Sequence, residues 1–370
     1  MSEGVAGTVR VLVAGAYWPG DVLAGVISAL TRIGVEVSTL VTNPRPTDAA
    51  LLERLTALTR RWPYLGVRIQ AASSLMLRKE RLRIVQDRLG RQLRDWKPHL
   101  FLALIDGRYP ILPEIVANHD EMTKIGWLLD DPFWADSDQV SSLRVFDALW
   151  TVEESLVAPL GVATGRPVRC VPLGVDPDVY HRLDRGSRES HRQLVFVGKS
   201  YRNNSDGVSR AVALSSIAGK GLEVWGDPGW TKWKVGHVDF GAHYRGGPVP
   251  SSAVNEIYNS AQIVLNIHHS QIRIGTSLRA FAICAAGAFQ AADWRPGLDA
   301  LLEPDREIVT FRCGDELAEK VDRYLKDDVG RQRIAVAGER RALCEHTYER
   351  RLRPLIAALL KERRGPHETL

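Results

Sequence analysis

Residues 263–293, IVLNIHHSQIRIGTSLRAFAICAAGAFQAAD, carry the reading that decides the fold. The apolar run from Ile263 to Ile267 reads as a buried strand, and the polar stretch after it closes on Gly275-Thr276-Ser277. A mostly apolar helix is expected from Leu278 to Ala286, and a second strand begins after Gly287. Strand, loop, helix and strand in that order make a βαβ unit, and parallel sheets place ligand sites at the carboxyl ends of their strands. A helix that starts after Gly275 offers unpaired backbone N–H groups and the positive end of its dipole to an anion. Arg279, one turn into the helix, adds a forked cation suited to phosphate. A plain buried unit with Arg279 paired elsewhere fits the same residues.

Working outward, Leu194 to Val197 is a strand followed by Gly198-Lys199-Ser200-Tyr201-Arg202. Glycine lets a backbone approach a pyrophosphate closely, and Lys199 or Arg202 can neutralise charge as a nucleotide leaves. The alternative is an exposed basic loop. Leu222 to Trp225 is the next strand, followed by Gly226-Asp227-Pro228-Gly229-Trp230 and an expected long polar loop to about Pro250. Trp225, Trp230, Trp233 and Tyr244 concentrate aromatic surface there, available for stacking on a base or for a core. Asn266, His268 and His269 close the central strand. His268 is a candidate donor to a leaving phosphate, whereas a His-His pair without a third ligand does not make a metal site. A late strand at Ile308 to Phe311 and helices at Asp315 to Leu325, Arg331 to Cys344 and Tyr348 to Leu360 complete this half.

The first half opens with an apolar strand, Val9 to Ala14, a loop containing Trp18 and Asp21, and a helical pattern through Leu30; Val35 to Val41 is the next strand. This is the start of a doubly wound α/β domain without the GxGxxG fingerprint of NAD-binding proteins. Residues 78–97 hold eight Lys or Arg against three acidic residues. Leu82, Val85, Leu89, Leu93 and Trp96 follow helical spacing there, which puts one face inward and the arginines in water. Contact with an anionic membrane surface or a phosphorylated acceptor is the functional alternative. His99 to Ile105 ends in Asp106, and Ile125 to Leu129 ends in Asp130-Asp131-Pro132-Phe133-Trp134. Paired carboxylates push one pKa upward, which suits a general base, and Asp-Asp-Pro also serves as a turn. Strands at Ala148 to Val152 and Val168 to Val171 precede Pro172-Leu173-Gly174-Val175-Asp176, a turn expected between domains.

The 370 residues suit two domains, and 45% hydrophobic with 25% charged residues suits a globular chain. No stretch reaches the ~18 continuous apolar residues of a spanning helix, and no secretion signal is visible, so a cytoplasmic location is expected. Cys170, Cys284, Cys313 and Cys344 are too scattered for zinc or disulfides and are expected to be buried thiols. A net charge of +5 permits phosphorylated ligands, anionic membranes or nucleic acid and does not choose among them.

The segment from about Cys170 to Tyr348 resembles the CgeB-like, spore-maturation type of glycosyltransferase within the GT-B class. The matching stretches are VPLGVDPDVY (171–180), LVFVGKSYRNN (194–204), LEVWGDPGW (222–230), NIHH (266–269), TSLRAFAICAAGAFQAAD (276–293) and AGERRALCEHTYERR (337–351). The resemblance implies two Rossmann-like doubly wound domains facing a central cleft: an acceptor-side domain at 1–175, a nucleotide-sugar domain at 176–345, and a C-terminal helix at 346–370 returning to the first. It implies transfer of a sugar from a UDP- or dTDP-sugar to a hydroxyl or amine acceptor, with no tightly bound cofactor and no metal. Gly198, Lys199, Arg202, Trp225, Gly226, Asn266, Thr276, Ser277 and Arg279 would bind the donor, with Trp225-Gly226-Asp227 near the base. Asp131, Asp106 and His268 would be catalytic, and Trp18, Asp21 and Trp134 would face the acceptor. One departure stands out: relatives commonly carry an acidic ribose-binding residue five positions before the glycine matching Gly287, and here that position is Ala282. A methyl group accepts no hydrogen bond. A fold that binds nucleotide sugars without turnover is therefore the rival reading, and a transferase acting on nucleic acid is a second, favoured only by charge. Oligomeric state is not legible.

Overall fold

A computed structural model describes residues 9–16, 22–42, 83–106, 116–134, 137–183, 192–202 and 204–364. Contacts group the chain into two compact units, Met1–Trp18 with Gly34–Thr151 and Ala158–Arg169, and Pro19–Ile33 with Val152–Val157 and Cys170–Leu370.

The first unit is built on a six-stranded sheet in the order β2-β1-β3-β4-β5-β6. The strands are β1 (Arg10–Gly15), β2 (Glu36–Val41), β3 (Leu100–Ile105), β4 (Thr123–Leu128), β5 (Ala148–Thr151) and β6 (Val168–Cys170). Pairing of β1 to β5 is parallel, with Val13 opposite Leu102, Ala103 opposite Gly126 and Trp127 opposite Trp150. All six residues of β3 are buried, as a strand covered on both faces requires. Trp127 is fully buried and packs edge-on against Trp150, ring centres 5.7 Å apart. The basic segment forms a helix over 83–96. Val85, Leu89 and Leu93 are buried, while Arg83, Arg88, Arg91 and Arg94 are exposed. Gln92 ties that helix to the Thr39 carbonyl at 3.1 Å, and Trp96 donates to Glu36 at 3.2 Å.

The second unit carries a parallel sheet in the order β11-β8-β7-β12-β13-β14. Its strands are β7 (Arg192–Val197), β8 (Leu222–Trp225), β11 (Tyr244–Gly246), β12 (Ala261–Asn266), β13 (Gln290–Asp293) and β14 (Val309–Phe311), beside a two-stranded hairpin of β9 (Lys234–Val235) and β10 (Val238–Asp239). The βαβ unit expected at 263–293 is β12, a helix over Leu278–Ala285, and β13. Every residue from Ala280 to Ala286 is buried, so this helix lies between layers rather than on a surface. One sheet face packs Phe196, Leu265 and Ala291 against Trp230, Phe240 and Leu214; the other packs Val264 and Ala292 against Phe281 and Ile283. Each fully buried side chain of this size stabilises by roughly 1.5–3 kcal/mol before entropy is counted.

Two expectations are corrected. The stretch 228–250 is not a plain polar loop: Pro228–Lys232 is a 3-10 turn, a hairpin follows, and β11 becomes the sheet's edge strand. Asp227 and Asp239 start the two turns there by accepting from the backbone N–H groups of Gly229 and Gly241, both at 2.9 Å. Of the four free thiols, Cys284 is buried and Cys170 half-buried, whereas Cys313, just before the helix Gly314–Lys326, and Cys344, on the helix Asp328–Glu345, are exposed. Segment 172–176 is built into the second unit: Val175 pairs with Thr347, and Asp176 meets Arg32 at 3.0 Å.

Arg32 belongs to α1 (Val22–Ile33), which packs on the last described helix, Tyr348–Arg364. Two glycines permit this junction. A Cβ at Gly25 would lie 2.6 Å from the Tyr348 ring, and one at Gly174 would lie 2.4 Å from the Tyr348 backbone nitrogen. A ring can tilt, but a backbone nitrogen inside a helix start cannot move alone. Gly174→Ala should therefore cost about 1–3 kcal/mol, read as a lower urea midpoint with an unchanged m-value; a wild-type midpoint would show that the junction is slack.

Candidate functional site

The carboxyl ends of β8, β7, β12 and β13 are adjacent, because those strands are neighbours in a parallel sheet. β7 runs into Gly198 and β8 into Gly226, whose φ of +154° suits glycine. A Cβ on Gly226 would fall 2.1 Å from the Gly198 carbonyl oxygen, so the two backbones touch. The Trp230 indole donates to that same carbonyl at 2.8 Å, the Trp233 indole to the Ser200 carbonyl at 3.2 Å, and the Tyr244 hydroxyl to the Gly226 carbonyl at 3.2 Å. The aromatic cluster offered by the sequence as stacking surface thus holds the strand-end loops from behind. Trp225 is half-buried, with the Arg192 guanidinium 5.9 Å from its ring centre.

Asp227 secures the loop after β7, accepting from the Ser200 N–H at 2.7 Å and the Ser200 hydroxyl at 2.7 Å. Burial alone would raise its carboxyl, but these hydrogen bonds with that of Gly229 outweigh it and hold the pKa below the ordinary value. Lys199 and Arg202, on this loop, are exposed.

Arg210 lies beneath the loops and is 2% exposed. It projects from the helix Ser205–Ser215, whose inward residues include Gly207, Arg210, Ala211 and Leu214. Its guanidinium donates to the carbonyl of Lys199 and to that of Ile267, each at 2.9 Å, and sits 4.7 Å from the Tyr201 ring centre. Burial, and then the neighbouring charge of Arg279, bring its pKa down to about 10. Burial, followed by Arg210, also takes His269 down to about 4, so His269 is neutral at physiological pH. On the same helix Asp206 accepts from the Ser270 N–H at 2.7 Å.

Arg279 approaches from the helix Leu278–Ala285, with one guanidinium nitrogen 3.6 Å from where a Gly198 Cβ would stand. It also lies beside the Tyr258 hydroxyl, whose pKa burial pushes up. The helix starts after Ser277, whose hydroxyl makes no cap and has no partner, and the buried Asn266 Oδ1 is likewise unpartnered. His268 is buried with both ring nitrogens engaged, Nδ1 to Asp293 Oδ1 at 2.6 Å and Nε2 to Thr276 Oγ1 at 2.7 Å. The His268 backbone N–H donates to the same Asp293 oxygen at 2.8 Å, and Arg295 meets the other carboxylate oxygen at 2.8 Å. Burial would raise the Asp293 carboxyl, but His268 and Arg295 hold it below the ordinary range. The intervening loop is pinned by Glu153, which accepts from the N–H groups of Arg273 at 2.9 Å and Ile274 at 3.1 Å.

The fold therefore assembles Gly198, Gly226, Asn266, His268, Thr276, Ser277 and Arg279 at one sheet edge. In the first unit, β3 and β4 are neighbours with Ile105 opposite Leu128, which puts Asp106 and Asp131 just beyond one edge of that sheet. Asp131 is 5% exposed and accepts from the Phe133 N–H at 2.9 Å, the turn geometry of Asp-x-x. Trp134 lies in the short turn Pro132–Trp134. Trp18 and Asp21 lie outside the described residues. The sequence pattern did not single out Arg210, Asp293 or Glu153, and it offered Asp227 for base contact, whereas Asp227 secures the Ser200 loop. Arg210 had a signal, since an arginine recurs with Gly207, Ala211 and Leu214 on one helical face. Among the described residues, no three or more His, Cys, Asp or Glu gather to hold a metal. No described helix is long and apolar enough to cross a membrane. Two cavities of about 560 Å³ open elsewhere in this unit, one around Glu303 and Arg341 and one around Arg182 and Arg331.

Comparison with solved structures decides the architecture. Sucrose-phosphate synthase from Thermosynechococcus elongatus aligns over 96% of this chain and 99% of its own, with a TM-score of 0.63 at 11% identity. The chain has the GT-B glycosyltransferase fold. Other GT-B neighbours are the trehalose-6-phosphate synthase OtsA, with a TM-score of 0.62, 11% identity and coverage of 95% and 99%, and Anabaena HepE in complex with UDP-glucose, with a TM-score of 0.58, 10% identity and coverage of 95% and 99%. Residues 209–357 match the family model described as Glycosyl transferase-like. No curated protein matches the chain. The matched segment spans the β12-helix-β13 unit of the GT-B fold and ends within the C-terminal helix.

Asp227 offers a test of the loop scaffold. Its depressed carboxyl contributes stability that is present above the unfolded-state pKa and is lost as pH falls through the lower folded-state value. Asp227→Asn should cost about 1 kcal/mol at pH 7 after solvent screening, and the difference from wild type should vanish in acid. A pH-independent difference in urea midpoint would contradict the charge-based account.

Proposed function

We propose that the protein is a glycosyltransferase that moves a sugar from a nucleoside-diphosphate sugar to a hydroxyl or amine acceptor, of the CgeB-like type. The observation that carries this is Arg279, whose guanidinium stands beside Gly198 at the start of the helix Leu278–Ala285. That helix start, the Gly198 backbone and Arg279 are suited to a diphosphate, since N–H groups, helix dipole and a forked cation act in the same sense. The match of residues 209–357 to a glycosyl transferase-like family supports the same half of the chain as the donor domain. The complexes of Anabaena HepE with UDP-glucose and with UDP make a uridine donor the first to try.

On this reading Arg279, with the exposed Lys199 and Arg202 on the loop after β7, stabilises the departing diphosphate without a required metal. Asp131 is the candidate base for an inverting reaction, with Asp106 beside it. In a retaining reaction the acceptor proton leaves through the phosphate instead. Trp18, Asp21 and Trp134 remain the acceptor-side residues of the proposal.

A second reading is favoured by one observation. Ala282, at the position where relatives place a ribose-binding acid, is 2% exposed and packed among Val264, Phe281 and Ala292. A protein that binds without turnover is under no demand to keep the ribose hydrogen bonds that such an acid supplies, and its binding is weaker for their loss.

Thermal shift with UDP, GDP and dTDP, followed by donor hydrolysis and transfer assays with the matching sugars, separates the readings. Arg279→Ala should weaken nucleotide binding about 10- to 100-fold, the worth of a charged hydrogen bond. Asp131→Asn should leave binding intact and lower transfer. Nucleotide binding with no hydrolysis or transfer favours the second reading, and no stabilisation by any nucleotide removes both.

A further inference from the structure

The Asp293–His268–Thr276 chain has a protonation logic that the donor-site reading does not use. Asp293 is a carboxylate held below its ordinary range, and it accepts at 2.6 Å from His268 Nδ1, so that nitrogen carries a hydrogen. In neutral His268 the other nitrogen, Nε2, is then a bare acceptor. The Thr276 hydroxyl, 2.7 Å away, must donate its only hydrogen to it. Thr276 thereby turns lone pairs toward its remaining surroundings, at the start of the helix where the diphosphate is proposed to lie. Lone pairs repel phosphate oxygens. When His268 takes up a second proton, Nε2 donates to Thr276 Oγ1 and the hydroxyl hydrogen is released to point outward.

We infer that His268 is a positioning residue that couples proton uptake to anion binding: the imidazolium form makes Thr276 a hydrogen-bond donor to a phosphate oxygen of the nucleotide. The inference rests on the donor-site reading and deepens it by assigning the site a proton-linked state. No covalent bond changes; one solvent proton moves to Nε2 and one hydroxyl hydrogen reorients.

The charges around His268 make the coupling two-sided. Asp293 favours the imidazolium from β13, and Arg295 partly offsets it from the turn that follows. From the helix Ser205–Ser215, Arg210 and Asp206, and from the helix Leu278–Ala285, Arg279, act with opposing signs on the neighbouring His269, which burial and Arg210 keep neutral at physiological pH, so it adds no charge of its own. A bound diphosphate adds negative charge to this set and shifts the balance toward the imidazolium, as linkage requires.

The test is calorimetry of UDP binding in buffers of different ionisation enthalpy, between pH 6 and 8, with wild type, Thr276→Val and Thr276→Ser. UDP's own titration is common to all three proteins and cancels in the comparison. Wild type and Thr276→Ser should take up more protons per UDP than Thr276→Val, by up to about one, and their affinity should rise more steeply as pH falls, by up to about a further tenfold per pH unit. Nitrogen-15 spectra of the imidazoles should show the His268 ring going from Nδ1–H alone to doubly protonated as UDP saturates wild type. UDP binding with equal proton uptake in wild type and Thr276→Val overturns the coupling and leaves the donor site standing. UDP binding with a neutral His268 ring throughout does the same. Absence of UDP binding to wild type removes a uridine-diphosphate site, and this inference with it.

Discussion

A buried guanidinium ties the second sheet's two central strands together at the edge where the loops meet. Arg210 reaches the carbonyls of Lys199 and Ile267, which lie just past the ends of β7 and β12. Removing an arginine from water costs several kcal/mol, and only good hydrogen bonds and neighbouring charge offset that. The compensation is incomplete: Nε has no partner, and the nearest cation, Arg279, repels it. Tyr201 and Phe196, 4.7 and 5.7 Å from the guanidinium, supply aromatic faces, and Asp206 and Asp293 favour its charge without cancelling the effect of burial. The strand ends are thus held by a group that is itself short of negative charge, and an anion arriving at this edge relieves the shortage while meeting a rigid frame.

The fold was readable because its strands are apolar runs at sheet spacing. β8 and the helix beginning at Leu278 fall where the residue pattern puts them, and β12 differs only at its ends. The stretch 228–250 was not readable because nothing periodic organises it. Aspartates that cap short 3-10 turns and indoles that donate to distant carbonyls do so instead, and Trp230 with Phe240 buries what looked like a polar loop. The site divides in the same way. Gly198, Thr276 and Arg279 sit at punctuation between elements, where ligand chemistry is expected. Arg210 and Asp293 act from inside a helix and a strand, and their roles depend on partners 57 and 25 residues away in sequence.

Ala282 shows how a missing group can be built into a core rather than left as a gap. The helix that carries it is buried all round, and its neighbours Ala280 and Phe281 are fully buried with it. A carboxylate introduced there would have to be desolvated among apolar side chains. Asn266 Oδ1 and the Ser277 hydroxyl, on the loop side of the same unit, are buried polar atoms without partners. On the proposed reading, a ribose is held by groups outside the interior of this helix.

The junction between α1 and Tyr348–Arg364 bears on how the chain is made. Gly25 and Arg32 come early off the ribosome, and the Tyr348 ring and Glu349 carboxylate that cover them are translated more than three hundred residues later. At synthesis rates of about 5–20 residues per second, the apolar stripe of α1 waits some tens of seconds for its permanent cover. The seat that Gly25 and Arg32 make for Tyr348 and Glu349 is therefore filled only once the C-terminal helix has been made.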